Sequence, residues 1–346
     1  MKNTPVKLMS VLLLGTALTA CSVLSNIAGG NNVKFSSYKN EVGTEEFAAG
    51  MNDSIKNNST LNGSEAIDDF AFSVKVSASV DQKITNSKLA KKDRGSVSGD
   101  ASASAKLAFD LNSGNAELTG KLSASAKMVA PTTGTQKLSS ETEVDVVMQQ
   151  EGEENVKLIN QKEKVYSIED SEQTVAQAMT ELKSYLGMGV YYLSSAFASL
   201  DPATLEAEGT SIKLYKDAEV YTIVANMSTS QELKMSTYDE DTGDYVDTSY
   251  AKIDADVDIK FQLDLKDDVK LRLKAEAKYT AEYLVDGASG VTQDLLPVSL
   301  PVEHLAGDKE TATLKFGLSA DYSSKNQTVK SVDTSKYGEV EQIFDL

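Results

Sequence analysis

The stretch Ala251–Tyr283, AKIDADVDIKFQLDLKDDVKLRLKAEAKYTAEY, decides the fold. Ala251, Ile253, Ala255, Val257, Ile259, Phe261, Leu263 and Leu265 alternate with polar residues. Val269, Leu271, Leu273, Ala275, Ala277, Tyr279, Ala281 and Tyr283 do the same. A period of two is the signature of a strand with one buried face. Lys266-Asp267-Asp268 supplies a three-residue turn that sets Leu265 opposite Val269, so that every apolar residue lands on one face. The polar face checks the register. Asp264 meets Lys270 and Asp256 meets Lys278, while the like-charged pairs Lys260/Lys274 and Asp258/Glu276 have opposite-charged diagonals such as Lys260/Glu276. Strands of about fifteen residues run roughly 50 Å at about 3.3 Å per residue, and strands that long curve.

The same alternation recurs on the N-terminal side. Phe70, Phe72, Val74, Val76, Ala78 and Val80 form one apolar face, and a charged loop over roughly Asp81–Asp100 follows. Ala101, Ala103, Ala105, Leu107, Phe109 and Leu111 form the next, and Asn112-Ser113-Gly114-Asn115 reads as a hairpin turn. The return strand carries Ala116, Leu118, Leu122, Ala124, Ala126 and Met128. Val144–Met148, Val156/Leu158 and Val165/Ile168 predict shorter strands. On the C-terminal side, Ile212–Tyr215 with Val220–Ala225 predicts one hairpin, and Leu233–Tyr238 with Tyr245–Tyr250 another. Ala312–Tyr322 is a last strand before a polar tail.

Two segments read differently. Thr44–Asn57 predicts a helix with Thr44 as N-cap, Glu45 and Glu46 in the first turn, and Phe47, Met51 and Ile55 on one face, after a short strand at Val33/Phe35. Residues 171–200 carry Val175, Met179, Leu182, Leu186, Val190 and Leu193 at helical spacing, with Gly187 and Gly189 marking a kink and Asp201-Pro202 the end.

The first residues, MKNTPVKLMSVLLLGTALTACS, set a basic pair, Lys2 and Lys7, before an apolar run from Leu8 to Leu18 that is too short to span a bilayer. Small residues and the one cysteine, Cys21, follow. Leu18-Thr19-Ala20-Cys21 resembles the lipobox of bacterial lipoproteins. That resemblance implies cleavage before Cys21, diacylation of its thiol, and a location in the cell envelope, lipid-anchored on the extracytoplasmic side of a bacterial membrane. Residues 21–32 then act as a lipidated, flexible tether. Loss of residues 1–20 removes Lys2 and Lys7 and takes the formal charge from −18 to −20. So acidic a chain repels nucleic acid and anionic headgroups. With Cys21 acylated, no disulfide staples the body, and its stability comes from packing alone.

The order helix, about six strands, long helix, several strands over residues 40–325 resembles the LolA-like family, which includes periplasmic carriers of lipidated proteins and lipid-binding lipoproteins of mycobacteria. The resemblance implies an α+β, β-rich fold: a curved antiparallel half-barrel with a central helical lid over 171–200 and a short N-terminal helix. It implies one domain over 33–346, the alternative being two β-rich subdomains split near Ser171. Small residues on the apolar face, with the helix above them, point to a cavity roomy enough for acyl chains. Its expected lining is Ala103, Ala105, Leu107, Ala124, Ala126, Leu182, Leu186, Phe261, Leu273, Ala275 and Ala277.

Catalytic equipment is thin: one histidine, His304, no tryptophan, and no nucleophile elbow or zinc motif. No enzyme, cofactor or metal site is expected. Tyr238–Asp244 has an acidic spacing but lacks the glycine position and the terminal bidentate glutamate of a calcium loop, and Asp254/Asp256/Asp258 sits on a polar strand face beside lysines. Leu295–Val302 is the most apolar stretch of the mature chain, and its two prolines bar it from a central strand. The expected function is a membrane-anchored binder of a lipid or other apolar ligand. The alternative is a surface lipoprotein that binds proteins or envelope components and no small molecule.

Overall fold

The computed structural model describes residues 33–58, 70–85, 88–90, 94–110, 112–130, 133–152, 155–170, 177, 210–238, 241–286, 304–323 and 327–343. Their regular structure is one helix, α1 (Thr44–Asn57), and twelve strands. The first six strands are β1 (Phe70–Thr85), β2 (Ser96–Asp110), β3 (Asn115–Ala130), β4 (Gly134–Glu151), β5 (Asn155–Asn160) and β6 (Val165–Asp170). Then come β7 (Thr210–Asp217), β8 (Val220–Tyr238), β9 (Tyr245–Asp264), β10 (Val269–Tyr283), β11 (Lys309–Ser323) and the short β12 (Gly338–Glu339).

All twelve belong to a single sheet in the order β12-β6-β5-β4-β3-β2-β1-β11-β10-β9-β8-β7. Two meanders, β1–β6 and β7–β11, meet where β1 pairs with β11 along its whole length. The β9–β10 register is the one the charges demand: Asp264 faces Lys270, Lys260 faces Lys274, Asp258 faces Glu276 and Asp256 faces Lys278.

The expected α+β class is corrected to all-β, since strands dominate and the described residues carry a single complete helix. Strands run through stretches whose polarity reads as loop. β4 begins at Gly134, ten residues before its apolar part, because β3 offers it a continuous ladder. β8 runs through Asn226–Glu232, so the two expected hairpins, β7–β8 and β8–β9, share one long strand. That polar stretch stays in the sheet because its side chains serve β9: Ser228 Oγ donates to Asp256 at 2.6 Å and Asn226 Nδ2 donates to Asp258. The expected lid over 171–200 lies outside the described residues apart from Gln177.

The helix that packs on the described sheet is the N-terminal one. Gly43, not Thr44, is the N-cap of α1, and Phe47, Met51 and Ile55 form its buried stripe. They join the apolar face of β2–β5 and β7–β11 in one core that includes Leu107, Leu118, Met148, Leu158, Tyr221, Leu263 and Leu265. Phe47 meets Tyr221 edge-on at 5.6 Å, Ser54 Oγ and Tyr221 OH lie 2.7 Å apart, and Asn58 Nδ2 donates to Leu265 O at 2.8 Å. Burial pushes the Tyr322 phenol in this core up to about 12.

Both termini wrap the sheet. The segment before α1 forms no strand at Val33 and Phe35. It crosses the polar face, where Lys260 Nζ sits over the Phe35 and Tyr38 rings at 4.6 and 4.3 Å. At the β7 edge, Lys216 N donates to Asn40 O and Val42 N to Leu214 O. The expected polar tail does the same at the other edge. Val329 packs on Ala108, Val147 and Ile159 of the polar face, β12 pairs in parallel with β6, and Ile343 reaches the α1 core. Edge strands left bare recruit other chains, and here each edge carries a strip of terminal backbone.

Candidate functional site

Beyond the α1 core, the apolar face carries three transverse rows of side chains, each read strand by strand from β8 to β4. The middle row is Ala225, Ile259, Ala275, Phe316, Ala78, Ala101, Ala124 and Ser140. On the helix side it is flanked by Ile223, Phe261, Leu273, Leu318, Val76, Ala103, Leu122 and Thr142. On the far side stand Met227, Val257, Ala277, Leu314, Val80, Gly99, Ala126 and Leu138. Five alanines in the middle row between larger neighbours leave a shallow trough across the strands. At its centre Phe316 and Leu314 pack on Ala78 and Val80 and fill it. Towards both ends large apolar side chains stand open: Ile259 is 40% and Met227 45% exposed on one wing, Leu122 51% and Leu138 70% on the other. Side chains of that size are normally covered on a sheet's apolar face, so an open run of them marks an interaction surface.

The expected cavity residues divide into three groups. Leu107 and Phe261 belong to the α1 core and are closed off, and Ala105 and Leu273 pack at its margin. Ala103, Ala124, Ala126, Ala275 and Ala277 do lie on the trough and are half-buried. Leu182 and Leu186 lie outside the described residues. What the sequence missed is Phe316 as the plug, although its alternation in the last strand was plain.

The far end of the same face buries a polar cluster. Gln82 Nε2 donates to Glu310 Oε1 at 2.6 Å and Tyr283 OH donates to Glu310 Oε2 at 2.7 Å. His304 stacks on Tyr283, ring centroids 3.8 Å apart and planes at 7°, with Nε2 3.5 Å from Glu310 Oε2. His304 Nδ1 and Asp308 Oδ1 are buried without a partner among the described residues. Burial pushes the His304 imidazole below its usual value, against the opposing pull of Glu310 and Asp308. This lone histidine is thus buried, stacked on Tyr283 of β10 and beside Glu310 of β11.

Asp254, Asp256 and Asp258 lie on the polar face, as their lysine neighbours suggested. A hydrogen bond from Ser230, above all, holds the Asp254 carboxyl below its usual value. Among the described residues no three His, Cys, Asp or Glu side chains gather as a metal site. Leu295–Val302 lies outside the described residues.

No family model matches the chain, and no curated protein does. Among solved structures, a deletion mutant of TodX, a monoaromatic hydrocarbon channel, is 9% identical over 87% of this chain and 98% of its own, with a TM-score of 0.20. OccK7 (OpdD) of Pseudomonas aeruginosa is 8% identical over 74% and 99%, with a TM-score of 0.18. A FadL homologue of Pseudomonas aeruginosa is 9% identical over 83% and 99%, with a TM-score of 0.14. At such scores the likeness carries no argument about this chain. With the all-β sheet in place, the LolA-like description is withdrawn.

Proposed function

We propose that the chain is an extracytoplasmic protein of the bacterial cell envelope, anchored through an acylated Cys21, that holds a lipid or other apolar ligand on the apolar face of its sheet. The observation that supports this reading is the transverse trough. Ala225, Ala275, Ala101 and Ala124 form a low apolar floor, and Ile259, Met227, Leu122 and Leu138 stay open beside it. A floor of methyl groups between larger side chains suits a flexible hydrocarbon chain, which gains about 0.8 kcal/mol for each CH₂ removed from water. An anchor at Cys21 would keep that face within a tether's reach of a lipid source.

The test is the native mass of the mature chain purified without detergent. Bound lipid, or uptake of added phospholipid or fatty acid, is expected. Ala124→Phe fills the trough at a half-buried position and should cut loading several-fold at an unchanged melting temperature. A clean apo mass that does not respond to added lipid sinks the reading.

A further inference from the structure

The opposite, polar face holds a groove of ≈ 820 Å³. Two adjacent transverse rows build it. One runs Arg272, Ser319, Lys75, Ser104, Lys121, Glu143 across β10, β11, β1, β2, β3 and β4. The other runs Lys270, Asp321, Ser73, Lys106, Thr119, Asp145 on the same strands. From Arg272 to Lys121 the first row alternates long cations with serines, and the second adds Ser73 and Thr119 beside Lys106, so hydroxyls form a floor between basic side chains. With strands about 4.8 Å apart, six of them make a groove about 24 Å long, and cations on every second strand of the first row stand about 10 Å apart.

The charge balance reverses that of the molecule. The chain as a whole carries −18, yet the groove is lined by Lys34, Lys75, Lys106, Lys121, Lys162 and Arg272 against three acids, Glu143, Asp145 and Asp321. Those acids are already engaged. Glu143 pairs with Lys121 at 3.1 Å and Lys162 at 3.2 Å, Asp321 pairs with Arg272 at 2.6 Å, and Asp145 accepts from Gln161 Nε2 at 3.0 Å. Lys34, Lys75 and Lys106 have no partner among the described residues. Nor do the hydroxyls of Ser73, Ser104, Thr119 and Ser319. Lys34 comes from a separate element, the N-terminal wrap, and joins cations from the sheet. In a chain with 52 acidic and 34 basic residues, three uncompensated cations converging on one hydroxyl-floored groove form an anion site.

We propose that this groove binds an acidic polysaccharide in which anionic sugars alternate with neutral ones. Of the cations on alternate strands, Arg272 and Lys121 already hold acids of the molecule, so Lys75, with Lys106 and Lys34, meets the anionic units, and the hydroxyls beside them meet the neutral ones. No aromatic side chain lines the groove, so it offers no platform for nucleic-acid bases, and the acidic bulk of the molecule opposes a densely charged phosphate chain.

Calorimetric titration of the full chain in mild detergent tests this, with a ten-sugar oligosaccharide of alternating uronate and N-acetylhexosamine as the probe and a single-stranded oligonucleotide of equal charge beside it. Binding of the oligosaccharide is expected, weakened by added salt and weaker still for the oligonucleotide. The double variant K75Q/K106Q should lose at least tenfold in affinity at an unchanged melting temperature. K127Q/K137Q, in the neighbouring groove of the same face, should bind like the parent. Absence of binding, equal binding of the oligonucleotide, or equal losses in both double variants overturns the proposal.

Discussion

His304 is the one histidine in the chain, which makes its titration separable from everything else. Its imidazole stacks on Tyr283 and faces Glu310 and Asp308 in a buried pocket, and burial holds its pKa below the ordinary 6.5. The unfolded chain, where the ring has its ordinary value, therefore takes up the proton first as pH falls. Stability from this group is complete above about 6.5 and is lost as pH drops below that value towards the folded one. The carboxyls held low, Asp110, Asp254 and Asp333, work in a separate window: their stabilisation persists above the usual carboxylate range and fails only in more acid solution. Melting temperature measured from pH 7.5 to 5.5 should thus decline for the parent. His304→Phe keeps a ring on Tyr283 and removes the titration, so its curve should be flatter over that span. Parallel curves would remove His304 from the pH response.

At the scale of elements, α1 and the β9–β10 hairpin were both legible, and for different reasons. The hairpin states its register twice, once in the apolar residues and once in the charges, and a slip of one residue would spoil both. The α1 stripe states only a period, yet Phe47, Met51 and Ile55 are all buried. What was not legible was strand length, because polar stretches such as Asn226–Glu232 remain in the ladder by hydrogen bonding to a neighbouring strand, and no local pattern announces that. The helix also carries a testable flaw. Gly50 lies mid-helix, and a Cβ there would stand 2.8 Å from Lys216 Cε and Nζ. Those atoms end a flexible side chain that can swing aside, with the loss only of a 3.8 Å surface contact to Glu46. Gly50→Ala should therefore stabilise the protein by about 0.5–1 kcal/mol. Met51→Ala, which empties a fully buried site facing the sheet, should destabilise it by about 2–5 kcal/mol. Urea denaturation of the two variants checks both signs.

Across the whole molecule, the alanines of the trough were visible as small residues on an apolar face, but the groove on the other face was not. Its rows exist only once β10, β11, β1, β2, β3 and β4 are in register, and β1 and β11 lie more than two hundred residues apart in sequence. The C-terminal strap was hidden for a similar reason. Val329, Val332 and Tyr337 are too sparse to suggest an element, yet they cover Ala71, Ala108, Val147 and Ile159. Asp110 fixes the strap's entry: its carboxylate accepts from Asn112 N at 3.0 Å, Ser113 N at 3.3 Å and Val329 N at 3.2 Å. Burial works against that charge, but the hydrogen bonds outweigh it and hold the carboxyl below its usual value. Asn115 Nδ2 adds bonds to Val329 O and Ser331 Oγ at 3.2 and 3.0 Å. Beyond this entry the strap closes the β6 edge with Gly338 N on Lys164 O and Val340 N on Tyr166 O. Removing residues 327–346 would leave an apolar patch beside an open strand edge, the combination by which sheets recruit further chains. The truncated chain should self-associate in sedimentation velocity at concentrations where the parent sediments as a single smaller species. Asp110→Ala, which frees only the entry, should lower stability by about 1–3 kcal/mol without that association, because β12 still covers the edge. A truncated chain that sediments like the parent would mean that the β6 edge is protected by its own shortness and not by the strap.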